Sequence, residues 1–395
     1  MLEDYSVKLV LVLTIGFGLS SVLGYLTFKM GLSPILGYLF AGYIIGPFSP
    51  GIVVDIKVTE QLAEIGVILM MFGVGLYFKW QDLLSVRKIA IPGAILQMLI
   101  AIGATAVSIS LLGWPFYTGL IIGMALGVSS TIVMLRVFVD NKMLETTQGH
   151  IAIGWTIVED LLTVVVLILM SVLAEFIDRG VYSIPVIVET LIIVAFKMII
   201  LFALVFTLGQ RIVSKLLAFI SETQSQELFT IAILALTFMI ATGSSFIFGT
   251  SFALGAFLAG MVIGRTKVRQ EAAINSLPMR DAFVVLFFLS IGMLFNPVPI
   301  IEYWPQFLCV LAVILLVKPL ATFTIVKLWK YPTEIALGAA LALAQIGEFS
   351  FILAEEALNL RLLPDPAFDI IVAAAFVSIA LNPPIFRLYS QANTN

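Results

Sequence analysis

Long apolar stretches alternate along the chain with short clusters of charged, glycine and proline residues. Stretches of about twenty apolar residues can cross the hydrocarbon core of a bilayer as one helix. Cutting the chain at the clusters predicts thirteen helices. Their approximate bounds are 6–28, 32–48, 59–78, 88–112, 115–138, 148–176, 183–209, 226–243, 248–264, 279–296, 303–328, 333–359 and 367–389. This pattern is typical of an all-α polytopic membrane protein.

Composition narrows the class further. The 395 residues are 61% hydrophobic and 11% charged, which excludes a soluble protein. The single histidine, His150, and the single cysteine, Cys309, exclude an internal disulfide and argue against a His/Cys metal site. A net charge of -3 gives no reason to expect nucleic acid as a partner. The first apolar stretch follows Glu3 and Asp4 rather than basic residues, so we expect a membrane span rather than a signal peptide.

Basic residues in the predicted loops indicate the orientation. Loops on one side hold fifteen: Lys29, Lys79, Arg87, Lys88, Arg136, Lys142, Arg211, Lys215, Arg265, Lys267, Arg269, Arg280, Lys327, Lys330 and Arg387. Loops on the other side hold four: Lys8, Lys57, Arg179 and Arg361. Lys and Arg accumulate in cytoplasmic loops. We therefore expect a bacterial-type inner-membrane protein with its N-terminus outside and its C-terminus in the cytoplasm.

Two pairs of similar segments indicate an internal repeat. Residues 36–46 and 254–264 both read L-G-x-x-x-A-G-x-x-I-G, and residues 72–78 resemble residues 289–295. Small residues also recur in membrane helices simply because they permit close packing, but the second pair in register favours a repeat. The copies lie in predicted helices 2 and 9, an odd offset of seven helices, so they insert in opposite orientations, as in many secondary transporters. The predicted units are repeat one at 6–176, a linker helix at 183–209 and repeat two at 226–389.

Polar residues interrupt the fifth predicted helix of each repeat near its middle. The first interruption contains Ser129, Ser130 and Thr131, and the second contains Gln345 and Glu348. Inverted-repeat transporters bind ions near the midplane, where discontinuous helices present dipole ends and unpaired backbone groups. The oxygen atoms of these side chains are suited to a hard monovalent cation. The alternative for the hydroxyl residues is that they bond back to their own helix and only bend it.

Glu159 and Asp160 lie side by side within the apolar run of predicted helix 6. Ionised carboxylates at this depth cost a few kcal/mol each, so they indicate a role in handling charge. Adjacent residues on a helix point about 100° apart, so one is expected to face the ion path and the other a partner. Lys318 is the candidate partner of Glu159, because a buried ammonium also needs a counter-ion; Lys197 is a weaker candidate that could instead extend to an interface. A structural bridge and a role in proton coupling both remain open for the Glu159–Lys318 pair.

The predicted function is exchange of a monovalent cation, K⁺ or Na⁺, for protons. Competition between a proton and a cation for Asp160 would couple their movements, and crossing of the loaded carrier alone would make the result exchange. Two alternatives stay open: a gated cation channel on the same fold, which would conduct without moving protons, and a sodium-coupled symporter of an organic anion, which would need a roomy polar cavity. We expect neither an enzyme nor a cofactor, because no nucleophile and base are arranged for catalysis.

The chain resembles the monovalent cation:proton antiporter-2 family, especially the membrane domain of Kef-type potassium efflux transporters. The resemblance covers nearly the whole chain and rests on seven segments: LSPILGYLFAGYIIGP from Leu32, EIGVILMMFGVGLYF from Glu64, GVSSTIVM from Gly127, GWTIVEDLL from Gly154, GTSFALGAFLAGMVIG from Gly249, LPMRDAFVVLFFLSIGMLFNP from Leu277 and LAQIGEFSFIL from Leu343. It implies a thirteen-helix homodimer in which a mobile core domain moves like an elevator against a dimerisation part. It also implies that the ion site lies where two crossed, broken helices meet the acidic helix.

Carried over by residue, the resemblance makes Asp160 the ion- and proton-binding aspartate. Glu159 departs from the potassium efflux members, which have Gln there, while related sodium/proton antiporters have Asp or Asn. An acidic pair with a lysine resembles the electrogenic arrangement, so stoichiometry and selectivity stay open. Kef-type members continue into a cytosolic nucleotide-binding domain, but no nucleotide-binding Gly-rich motif occurs in these 395 residues. We therefore expect any regulatory domain or subunit to lie outside this chain.

Overall fold

A computed structural model of the chain describes residues 5–49, 56–77, 88–143, 145–179 and 184–394. Within these ranges the regular structure is helical. The first half forms α1 (Tyr5–Lys29), α2 (Pro34–Ile45), α3 (Ile56–Tyr77), α4 (Ala90–Leu111), α5 (Phe116–Leu126), α6 (Thr131–Asp140), α7 (Thr147–Arg179), α8 (Ile184–Leu204) and α9 (Gln210–Ser221). The second half forms α10 (Gln226–Phe248), α11 (Phe252–Gly264), α12 (Arg269–Leu294), α13 (Val298–Glu302), α14 (Trp304–Ala312), α15 (Lys318–Leu328), α16 (Thr333–Ala342), α17 (Glu348–Asn359) and α18 (Asp365–Thr394).

Ten helical segments of the described ranges are long and apolar enough to cross a membrane, and α2, α11 and α16 are shorter apolar helices. The predicted all-helical membrane class is therefore confirmed. The two predicted helices with polar interruptions are each divided, one into α5 and α6 and the other into α16 and α17. The predicted linker helix begins at 183, which lies outside the described residues, and it continues beyond 209 through α9.

The helices pack in two groups, and the breaks lie in one of them. In the first group α3 packs against α11 and α12, α2 packs against α1 and α12, and α10 packs against α11. In the second group α4 packs against α5, α7 and α15, while α16 and α17 pack against α7 and α18. The second group therefore contains both interrupted helices together with α7, the helix that carries the acidic pair.

Glycines permit the closest helix crossings of the first group. A Cβ atom on Gly42 of α2 would overlap the carbonyl of Leu289 in α12, and one on Gly292 would overlap the carbonyl of Leu39. The second crossing repeats this geometry, since Gly260 of α11 meets Phe72 of α3, and Gly75 of α3 meets Phe257 of α11. Such backbone contacts require residues without side chains. The motif shared by residues 36–46 and 254–264 thus supplies one glycine of each crossing, and the similar segments 72–78 and 289–295 supply the other.

A π-helical turn widens the helix that carries Lys318. It spans Val313–Val317 and joins α14 to α15. Pro319 comes directly after Lys318. A proline inside a helix lacks an amide hydrogen and clashes with the carbonyl four residues earlier. A π-turn relieves this conflict by shifting the register by one residue. The result places Lys318, which is buried, at the first position of α15.

The reciprocal glycine crossings predict that Gly292→Ala destabilises the protein, although alanine is normally the better helix former. The added methyl overlaps α2 backbone that has little room to retreat, and overpacking of this kind costs about 1–3 kcal/mol. Thermal unfolding in detergent measures the effect. Gly103→Ala is the matched control, because the same methyl at Gly103 of α4 meets no atom within 4 Å. Equal unfolding temperatures for the two variants would contradict the crossing.

Candidate ion-binding site

Two interrupted helices touch at their breaks. The first break joins α5 to α6 through residues 127–130, and the second joins α16 to α17 through residues 343–347. A Cβ atom on Gly347 would lie 2.6 Å from the Cα of Ser130, so the two backbones are in direct contact. Ser130 caps α6 by accepting a hydrogen bond from the Val133 amide at 3.2 Å. The predicted interruptions are therefore real breaks, and they meet each other.

Gln345 pairs with the main chain of the opposite break. Its Oε1 accepts a hydrogen bond from the Ser130 amide at 2.9 Å, and its Nε2 donates to the Ser130 carbonyl at 3.0 Å. This fork imitates the pairing of two main-chain strands and satisfies groups that the helix interruption releases. The Gln345 side chain is fully buried, so water cannot take its place without a cost. Gln345, a residue of the second predicted interruption, is thus a structural cross-link between the breaks.

Side-chain donors form hydrogen bonds to the main-chain carbonyls that the breaks leave unpaired. The Leu343 carbonyl accepts from the Ser129 hydroxyl at 3.2 Å, and the Gln345 carbonyl accepts from Nζ of Lys318 at 3.1 Å. The Val128 carbonyl accepts from the Ser350 hydroxyl at 3.4 Å. Unpaired carbonyls away from water are costly, so these donors make the interruptions stable at membrane depth.

The acidic pair divides between two environments, as the 100° rule requires. Glu159 is fully buried, and its Oε2 accepts a hydrogen bond from the Ser129 amide at 2.8 Å. Asp160 is partly exposed, and its Oδ2 accepts from the Thr131 hydroxyl at 3.3 Å. Oδ1 of Asp160 and Oε1 of Glu159 accept no hydrogen bond from the part of the chain that the structure describes. Asp160 therefore has one buried carboxylate oxygen without a hydrogen-bond partner beside the crossing.

Lys318 reaches the acidic helix indirectly. Its Nζ donates to the Ser129 hydroxyl at 3.2 Å, while Glu159 holds the amide of the same Ser129. Among the described residues no salt bridge joins Lys318 directly to Glu159, and the two predicted partners are linked through Ser129. The physical reason is that the ammonium also has to satisfy the carbonyl of Gln345, which places it over the breaks. Lys197, the weaker candidate, lies on the exposed face of α8.

The remaining predicted residues join the same network. Glu348 is the first residue of α17, and its Oε2 accepts a hydrogen bond from the Ser130 hydroxyl at 3.0 Å. The positive end of α6 lies at Thr131, beside Asp160, and that of α17 lies at Glu348. Both N-terminal helix ends therefore face carboxylates, and the carbonyl-rich side of the crossing faces the ammonium of Lys318. This distribution balances the partial charges of the broken helices.

Gln97 of α4 is a site neighbour that sequence reasoning missed. Its Nε2 donates to the Gly127 carbonyl at 3.4 Å, and its Oε1 accepts from the indole of Trp155 at 3.3 Å. Trp155 lies one helical turn before Glu159, so Gln97 ties the acidic helix to the first break. Buried glutamine in an apolar helix was the available signal, since Gln97 is the polar exception among its neighbours in α4.

Comparison with known proteins identifies the family. Residues 13–391 match the family described as "Sodium/hydrogen exchanger, transmembrane". The chain belongs to this sodium/hydrogen exchanger family. It is 43% identical over 376 residues to "Putative cation/proton antiporter YbaL" of Escherichia coli (strain K12), an alignment that covers 95% of this chain and 67% of that protein. It is 30% identical to "K(+) efflux antiporter 4" of Arabidopsis thaliana over 89% of this chain and 58% of that one.

A solved exchanger has the same overall fold. The sodium proton antiporter MjNhaP1 from Methanocaldococcus jannaschii superimposes with a TM-score of 0.71 at 17% identity, covering 97% of this chain and 98% of that one. The predicted resemblance to the cation:proton antiporter-2 family is confirmed by these relatives, which are transporters rather than enzymes. This sodium/hydrogen exchanger family member spans about two thirds of the YbaL sequence and little more than half of the plant antiporter.

Gln345→Leu is predicted to destabilise the protein by about 1–3 kcal/mol, because it leaves the buried Ser130 amide without its acceptor. Thermal unfolding in detergent measures the change. Gln226→Leu is the control, since Gln226 is exposed at the start of α10. An unchanged unfolding temperature for Gln345→Leu would contradict the cross-link.

Proposed function

We propose that the protein exchanges a monovalent cation, K⁺ or Na⁺, for protons by alternating access, and that the cation and the proton compete for Asp160. The observation that carries this proposal is the carboxylate of Asp160 itself. One oxygen accepts a hydrogen bond from Thr131, and the other is buried without a hydrogen-bond partner in the described structure, beside the crossing of two broken helices. A buried carboxylate oxygen that lacks a hydrogen-bond partner can be satisfied by either a proton or a cation.

The hydrogen bonds of the neighbouring hydroxyls indicate which of them can contact a cation. Ser129 already contacts Leu343 and Lys318, and Ser130 already contacts Glu348 and caps α6. Thr131 is the hydroxyl residue whose side chain bonds to Asp160 in the described structure. We therefore assign Asp160 and Thr131 to the ion and assign Ser129 and Ser130 to holding the breaks. Glu348 adds negative charge at the same crossing without facing a free path.

Glu159 and Lys318 set how much charge moves. Both are buried, and both hold Ser129, so a proton gained or lost by either one changes the bonding of the first break. If this pair stays charged throughout the cycle, exchange moves only the ligands of Asp160. If Lys318 gives up its proton when the cation binds, one more proton is exchanged for each cation. The number of protons per cation therefore depends on this pair.

Thirteen membrane crossings in two inverted repeats complete the proposal. The reciprocal glycine contacts support it, because Gly42 corresponds to Gly260 in the repeated motif, and Gly292 corresponds to Gly75. A two-fold axis in the membrane plane requires each contact to occur twice with the partners exchanged, and the contacts of these glycines do so. The short helices α2, α11 and α16 then count as crossings, the last together with α17.

The two packing groups support a moving core and a dimerisation part. The group with the breaks would move as the core. The group of α1–α3 and α10–α12, whose exposed apolar residues include Val22, Tyr25 and Met239, would form the homodimer.

The distribution of basic residues supports an N-terminus outside and a C-terminus in the cytoplasm of a bacterial inner membrane. Regulatory domains or subunits would act from outside this chain.

Asp160→Asn is predicted to abolish exchange in proteoliposomes, because an amide can neither carry the proton nor neutralise the cation. The assay follows internal pH while gradients of Na⁺, K⁺, Li⁺ or Rb⁺ are applied, which also gives the selectivity. Asp281→Asn is the control, since Asp281 is an exposed carboxylate paired with Arg280. Normal exchange by Asp160→Asn would contradict the proposed site. Cation flux without proton movement in the unmodified protein would favour a channel.

Lys318→Gln separates charge coupling from support of the breaks. Gln can still donate to the Ser129 hydroxyl and the Gln345 carbonyl but carries no charge. We expect exchange to persist and its dependence on an imposed membrane voltage to change. A variant that unfolds earlier but keeps the voltage dependence of the wild type would assign Lys318 to structure alone.

A further inference from the structure

A second polar cavity lies away from the helix crossing, between α7, α8 and the turn that leads into α11. Its volume is about 230 Å³, roughly eight times the ~30 Å³ that one water occupies in the liquid. Ser171, Lys197, Thr250 and Ser251 supply its polar lining, and apolar residues supply the rest. None of the described residues that line it is acidic. The cavity is therefore polar, positively charged and distinct from the carboxylates of the ion site.

Lys197 brings a charge to a membrane-embedded surface. It lies on α8 between exposed apolar neighbours, among them Phe196 and Ile200. Within the described part of the chain its ammonium forms no salt bridge. An ammonium among apolar groups is costly unless an anion or an aqueous interface is within reach. Lys197 therefore indicates an anionic partner other than the residues that the structure describes.

The turn before α11 adds donors that point to the same class of ligand. Thr250 is only 7% exposed, and its hydroxyl has no hydrogen-bond partner in the described structure. α11 has thirteen residues, and Ser251 caps it by accepting from the Leu254 amide at 3.3 Å. Other amides of the first turn lack partners within their own helix, and the positive end of the helix dipole lies there. A buried hydroxyl, a helix N-terminus and an ammonium around one cavity form a phosphate-binding arrangement.

We propose that this cavity binds the phosphate of an anionic phospholipid. Lys197 pairs with the phosphate charge, and Thr250 and the first turn of α11 donate hydrogen bonds to its oxygens. A lipid fits better than a free anion, because Lys197 lies on an apolar helix face along which acyl chains can run. The lipid would also touch the exchanging helix, since Ser171 lies eleven residues after Asp160 on the same face of α7. It would thus join α7 to α8 and α11.

Native mass spectrometry of the detergent-purified chain tests the proposal. The probes are phosphatidylglycerol, phosphatidylcholine with the same acyl chains, and inorganic phosphate. We expect phosphatidylglycerol to bind more tightly than phosphatidylcholine. Lys197→Gln should weaken phosphatidylglycerol at least about tenfold, because a hydrogen bond to a charged group contributes about 1.5–3 kcal/mol. Thr250→Val should weaken it several-fold while keeping the shape of the side chain.

Lys215→Gln is the matched control. Lys215 is exposed on α9, which follows α8 in the chain, so the variant loses the same charge without changing the cavity. Equal weakening by Lys197→Gln and Lys215→Gln would overturn the proposal in favour of general attraction to anionic lipid. Equal binding of the two lipids would overturn it as well. Binding of inorganic phosphate that depends on Lys197, without binding of phosphatidylglycerol, would show that the occupant is a free anion and not a lipid. If Lys197→Gln does not fold, the Thr250→Val result decides.

Discussion

Lipid offers no hydrogen bonds, so each main-chain group released by a helix break must find its partner inside the protein. The centre of this molecule is arranged around that constraint. The two breaks lie against each other at Ser130 and Gly347, and side chains from three other helices, α4, α7 and α15, complete the bonding. Gln345 forms hydrogen bonds with both the amide and the carbonyl of Ser130, and Lys318 donates to the carbonyl of Gln345 in the second break. The site residues are therefore the same residues that make the breaks possible.

The same breaks also place the partial charges of helix ends at the centre of the molecule. An interrupted helix has two additional ends, and each carries a partial charge. Asp160 and Glu348 lie beside the positive ends of α6 and α17, while the ammonium of Lys318 lies beside exposed carbonyls. The charged side chains thus compensate the helix ends as well as one another. In the proposed function, a change of ligand at Asp160 would disturb a balance that extends across both breaks.

Outside the centre, close backbone packing takes over from hydrogen bonds. The helices α2, α3, α11 and α12 cross through glycines that permit carbonyls to meet Cα atoms. Packing of this type gives a rigid platform, because both partners are backbone and neither can change rotamer. The group that contains the breaks has a different character, since its contacts include many polar side chains. A rigid group beside a group held by exchangeable hydrogen bonds is a suitable construction for relative movement.

The sequence by itself determined the features that depend on neighbouring residues. Apolar length predicted the helical membrane class, polar interruptions at Ser129–Thr131 and Gln345–Glu348 located both breaks, and the Glu159–Asp160 pair located the acidic helix. Each follows from local requirements of lipid and of the helix, so no knowledge of the fold was needed. Only the tertiary structure decided that Ser129 separates Glu159 from Lys318, that Gln97 joins Trp155 to the first break, and that Lys197 belongs to another cavity. These outcomes depend on which residues of distant helices arrive at one place, and on how one ammonium divides its bonds between a hydroxyl and a carbonyl.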